Sequence, residues 1–152
     1  MKKIIGLLLV CMIVFGGLSS CVAESVEYMS RALVVNELKK YVDEHLSVFI
    51  EKAKNTGTLS DVDATLLVEY YCASVTLTNA SMAEMNGIAS EELTATTDAI
   101  IKGNALTTES IVELKNQYIS GEATWDDSMA KVVRIIDAML TTSAAAIADA
   151  AN

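Results

Sequence analysis

The sequence predicts an all-α fold, an antiparallel bundle of four to five helices, and three observations carry that expectation. The chain contains no proline. Gly57, Gly87, Gly103 and Gly121 each follow a run of apolar residues at helical spacing, where a glycine C-cap is expected. Strand-like alternation of apolar and polar residues is absent.

Start signals follow those stops. Ser60-Asp61-Val62-Asp63 and Thr124-Trp125-Asp126-Asp127 have the spacing of a capping box, with Asp where Glu or Gln is usual. Ser90-Glu91-Glu92 and Thr108-Glu109 set a hydroxyl cap before acids that suit the first turn of a helix. The expected helices run near 24–55, 61–86, 90–102, 108–120 and 125–149.

In the first helix Val35, Leu38, Val42, Leu46, Phe49 and Ala53 form one apolar stripe, with Lys40, Asp43, Glu44, Ser47, Glu51 and Lys54 opposite, so it is expected to be one-sided. The second carries two stripes: Leu66, Tyr70, Ala73, Leu77 and Ala80, and beside it Val68, Tyr71, Val75, Met82 and Met85. A helix apolar on two faces is expected to be the buried member of the bundle, with Leu77 in its core. The third and fourth are short, carrying Leu93, Thr97, Ile100 and Ile101, then Ile111, Leu114 and Tyr118; together they match one long helix and read equally as one broken arm. The last lines up Met129, Val132, Ile136, Met139, Ser143 and Ile147 before an alanine-rich end.

The N-terminus has a different character. Met1-Lys2-Lys3 is a short basic start, Ile4 to Leu18 is uncharged and apolar, and Ser19-Ser20-Cys21 follows. This is the layout of an export signal, and the apolar run falls short of the roughly 20 residues of a membrane-spanning helix. Leu18-Ser19-Ser20-Cys21 resembles the lipobox of bacterial lipoproteins. The resemblance implies a cleaved signal peptide at 1–20, a lipidated tether at 21–23 and a helical domain at 24–152. It also implies diacylglycerol on the Cys21 sulfur and a further acyl chain, such as palmitate, on its new amino group. Two or three acyl chains make release from a membrane very slow. The expected address is therefore the cell envelope. In a Gram-negative host, Val22 in place of Asp implies the outer membrane.

Lys2 and Lys3 leave with the signal, so 9 of the 11 basic residues face 20 acidic ones and the formal charge moves from −9 to −11. Such a surface repels nucleic acid and anionic lipid rather than gathering them. Of the three cysteines, Cys11 is discarded and Cys21 is modified, which leaves Cys72 without an internal disulfide partner. It sits in an apolar helix with no His or Lys close in sequence, and reads as structural.

No catalytic constellation is present, and no enzymatic activity and no cofactor are expected. His45 is the single histidine, so no histidine cluster or triad can form. A His45–methionine haem site or a copper contact at Met82 and Met85 is outweighed by core packing of those methionines. Glu69, an acid in a nearly uncharged helix, is read as solvated, with pairing to Arg134 as the alternative polar site. The expected function is that of a membrane-anchored lipoprotein whose bundle contacts another envelope protein. The alternative is a carrier or sensor that holds a small apolar ligand between its helices. Only Val22 and Ala23 separate Cys21 from the first helical spacing, so the body should stand close to its membrane and meet a partner there.

Overall fold

The computed structural model describes the backbone of residues 19–86 and 90–151, and side chains within 29–142 other than 32, 85 and 87–89. Most of the expected signal segment, with Leu18, and the expected cap Gly87 lie outside the described residues. Four helices make up the rest: α1 (Ser19–Thr56), α2 (Asp61–Asn86), α3 (Glu91–Ile119) and α4 (Met129–Ala151). Successive helices run antiparallel. α2 packs on α1 and α3, and α4 packs on α3 and α1, so the four close into a square with α2 and α4 on one diagonal.

The helix ends follow the local chemistry. Gly57 has φ 69° and its N–H donates to the Ala53 carbonyl at 2.9 Å, so α1 stops on a left-handed cap that a side chain would strain. Ser60 then starts α2. Its Oγ accepts from the Asp63 N–H at 3.2 Å and donates to the Asp63 carboxylate at 2.5 Å. Ser90 Oγ accepts from the Leu93 N–H at the head of α3, and Gly121, at φ 75°, ends it. The Thr124–Asp127 pair closes as expected, with the Asp127 N–H on Thr124 Oγ1. It caps only a turn, however: the Ala130 N–H reaches back to the Trp125 carbonyl, and α4 begins at Met129 rather than 125.

Residues 90–120 bring the expectation of four to five helices to four, as one arm that is not broken. α3 is unbroken and passes straight through Gly103. A helix tolerates one interior glycine at about 1 kcal/mol relative to alanine, and a side chain at Gly103 would meet only open space. Thr108 is consequently an interior residue of α3 instead of a cap, and its hydroxyl is buried against the Tyr71 phenol. The expected tether residues 21–23 are likewise part of α1.

The core is concentrated at one end. Leu46, Leu67, Ile111, Met129, Val132 and Ile136 are all completely buried. They come from the late part of α1, the early part of α2, the late part of α3 and the early part of α4. That is the end carrying the α1–α2 and α3–α4 links. Tyr118 stitches it shut: its hydroxyl donates to the Leu59 carbonyl at 2.7 Å and its ring meets Trp125 edge-on at 5.9 Å. Toward the opposite end α3 has no fully buried residue before Ile111. There it is held to α2 by polar ties, Asn104 Nδ2 to Asn79 Oδ1 at 2.8 Å and Thr97 Oγ1 to Asn86 Oδ1 at 2.5 Å.

The two stripes of α2 are not equivalent. Val68, Tyr71 and Val75 of the second are buried with Ala64, Leu67 and Ser74. On the first, Leu66, Ala73 and Ala80 are exposed, and Tyr70 and Leu77 are only partly covered. α2 is thus a half-covered wall rather than the central buried member. α1 is not one-sided either. Val42, Leu46, Ile50 and Ala53 face the core, but Leu38, expected inside, is 53% exposed.

Leu67 therefore carries what periodicity alone assigned to Leu77. Leu67→Asp is expected to unfold the protein, because an unpaired buried charge costs several kcal/mol against a total stability of about 5–15 kcal/mol. Leu77→Asp should melt far closer to wild type. Urea titrations followed by circular dichroism measure both, and equal losses would contradict this placement of the core.

Candidate functional site

The described residues gather their chemistry where α1 meets α2. Three contacts step along the two helices at an almost constant register. Lys52 Nζ meets Asp63 Oδ2 at 2.7 Å, Ser74 Oγ donates to Asp43 Oδ1 at 2.5 Å, and Arg31 lies 3.6 Å from Glu84. Asp43 also pairs with Lys39 one turn earlier on α1. Ser74 is fully buried, so its hydroxyl needs this acceptor. Asp43, expected on the solvent side of α1, is instead a polar tie on the inner side of the hairpin.

The outer side of the same hairpin is apolar. Between Arg31 and Lys52, α1 places Val34, Leu38, Tyr41, His45 and Val48 at alternating spacings of three and four. Between Asp63 and Glu84, α2 places Leu66, Tyr70, Ala73, Leu77 and Ala80 in the same rhythm. That rhythm keeps each set on one stripe of its helix. The stripes lie side by side: the His45 ring stacks on Tyr70 at 5.3 Å, with Tyr41 at 4.4 Å from His45 and Phe49 at 5.9 Å from Tyr70. Val34 at 70%, Tyr41 at 58% and Val48 at 63% exposure show that none of the four helices covers this face. Among the described residues, the Arg31–Glu84 and Lys52–Asp63 ion pairs lie at its two ends.

Of the residues singled out from sequence, His45 lies within this face. Its Nδ1–H donates to the Tyr41 carbonyl at 2.9 Å, which fixes the ring against Tyr70. Glu69 and Arg134 are both exposed and are not brought together, because α2 and α4 are diagonal. Arg134 Nε bonds its own helix at the Ala130 carbonyl. Cys72 is half-buried against the core, and that burial raises its thiol above the ordinary range, with Lys115 opposing. Burial likewise raises the Tyr71 phenol, which faces the Thr108 hydroxyl. Cys21 stands at the start of α1. Among the described residues no three His, Cys, Asp or Glu side chains converge as a metal site requires. No described helix is long and apolar enough to cross a membrane.

No protein-family model, no curated protein and no solved structure matches the chain. What the molecule does must be argued from its own geometry. That geometry offers a contact surface: the polar groups of the hairpin tie its helices to one another, and the ungathered feature is the apolar outer face. Sequence reasoning passed over Arg31, Tyr41, Asp43, Lys52, Asp63 and Glu84 as members of one arrangement. The signal that could have found them is the matched alternation of threes and fours over 31–52 and 63–84.

Lys52 and Ser60 both donate to Asp63 and hold its carboxyl below the usual range, Lys52 contributing most. A carboxyl lowered on folding stabilises at pH values above its unfolded value, and the effect is lost as pH falls through the folded one. Asp63→Asn should therefore lower the melting temperature at pH 7, and the difference from wild type should shrink steadily as pH falls through and below the ordinary aspartate range. Thermal melts from pH 7 to pH 2 check this; a difference independent of pH would contradict it.

Proposed function

We propose that the protein is a membrane-anchored lipoprotein of the bacterial cell envelope, without enzymatic activity, whose bundle acts by contacting another envelope protein at the same membrane. The observation that carries this reading is the geometry of α1 at its tethered end. Beside Arg31 stands Glu84, and α2 stops two residues later at Asn86, while α1 extends back to Ser19. After cleavage before Cys21, residues 21–29 therefore project past α2 as a single helix, about 14 Å at 1.5 Å per residue. With acyl chains on Cys21, such a helix is a short stiff post rather than a flexible linker. The body then occupies a shell beside the membrane, its far end within about 54 Å along α1 from Cys21 to Thr56 at 1.5 Å per residue. A partner that it meets lies on or in that membrane.

The formal charge of −11 after removal of the first 20 residues supports a protein partner over nucleic acid or an anionic lipid surface. No specific observation favours the carrier alternative. Ala64 and Ser74, small residues of α2 that could have lined a void, are fully buried in the packed core, and the Ser74 hydroxyl is taken by Asp43.

Cys21→Ser is expected to move the protein from the membrane fraction to the soluble fraction, or to leave it unprocessed at higher mass. Photo-crosslinking from exposed Lys131 on α4 is expected to capture membrane proteins. A Cys21→Ser variant that fractionates and migrates like wild type would overturn the anchor. Adducts confined to soluble or wall-bound components would overturn the partner's location.

A further inference from the structure

We propose that the apolar outer face of the α1–α2 hairpin is covered by a second copy of the same chain, related by a two-fold axis that runs along the bundle. The charges at the ends of the face argue for this occupant. On α1 both end residues are cations, Arg31 and Lys52; on α2 both are anions, Asp63 and Glu84. A two-fold axis along the bundle sets α1 of one copy opposite α2 of the other, antiparallel and in the register already seen within each hairpin. Arg31 then faces the other copy's Glu84, and Lys52 faces its Asp63. Each end becomes a cluster of two cations and two anions.

The competing two-fold, perpendicular to the helices, sets α1 against α1 and α2 against α2. It brings Arg31 onto the other copy's Lys52 and Asp63 onto its Glu84, cation on cation and anion on anion. Such like-charge juxtaposition is what rejects a wrong alignment. The face thus complements itself in one orientation only.

Size and packing agree. The stretch from Arg31 to Lys52 is about 31 Å long, and two helices 8–10 Å apart are about 20 Å wide, a footprint of about 600 Å². Packed side chains raise that toward the roughly 800 Å² per partner of a stable protein interface. The three-four rhythm on both helices suits the shallow left-handed packing of a four-helix core, here built from two hairpins. Tyr41, His45 and Tyr70 lie at its centre, where aromatic anchors contribute most. The inference does not depend on the lipid anchor, although this axis also brings both Cys21 residues to one side, as a shared membrane would require.

The test uses the full chain, produced in two differently tagged copies in one cell, with a photo-reactive phenylalanine analogue in place of Tyr41. Irradiation is expected to yield an adduct of twice the chain mass that carries both tags, and Leu38→Glu in both copies should abolish it. Leu38 is exposed, so circular dichroism of that variant should match wild type. Arg31→Glu in both copies should weaken the adduct. Pairing an Arg31→Glu copy with a Glu84→Arg copy should restore it. Adducts only to lipid or to a different protein, no adduct, or a doubly tagged adduct indifferent to Leu38→Glu would overturn the self-contact. A failure of the exchanged pair to restore the adduct would overturn the proposed axis. Membrane fractionation of Cys21→Ser is read separately, so loss of the anchor and loss of the self-contact are distinguishable.

Discussion

The fold depends on one apolar cluster closed by all four helices at a single end. Leu46 of α1, Leu67 of α2, Ile111 of α3 and Met129, Val132 and Ile136 of α4 are without exposure there. Fully burying a side chain of that size contributes about 1.5–3 kcal/mol, more than the roughly 0.5–1.5 kcal/mol net of a typical polar tie. The polar ties are smaller and set register. Asp43–Ser74 and Lys52–Asp63 align α1 with α2, and Asn79–Asn104 and Asn86–Thr97 align α2 with α3. Beyond the cluster the helices continue because their backbone bonds are internal, and they leave surface uncovered.

That division of labour explains what was legible in the sequence. Helix ends were, because caps are local: Gly57, Ser60, Ser90 and Gly121 act where their residue types place them. The core stripe of α4 was also readable, since Met129, Val132 and Ile136 form one unambiguous row. Gly103 misled because a glycine inside a helix and a glycine past its end look alike until the backbone angle is known. α2 misled for a deeper reason. Periodicity finds both of its apolar stripes but cannot say which one meets a neighbour, and the answer lies in the square arrangement of the other helices.

The candidate surface was half visible. Its rhythm is written in residues 31–52 and 63–84, yet the two stretches become one face only when α1 and α2 pair with Lys52 beside Asp63 and Arg31 beside Glu84. Tertiary register is not a local property, so the charges at the four corners read from sequence as ordinary solvated residues. Glu69 and Arg134 drew notice for their residue types and turned out to be separate surface groups. The proposed lipid anchor rests on a motif of four residues and would belong to chemistry done on the chain rather than to its fold.

The central claim is that stability resides at the linked end and declines toward the end where α1 begins. Native-state hydrogen exchange, resolved by residue, tests it most directly, because amides in the globally stable part exchange only through complete unfolding while others exchange by local opening. The account predicts the greatest protection around Leu46–Ala53, Ala64–Val75, Ile111–Tyr118 and Val132–Ile136, with Glu91–Gly103 of α3 exchanging through a cheaper local opening. Uniform protection along all four helices, or greatest protection in Glu91–Gly103, would contradict it.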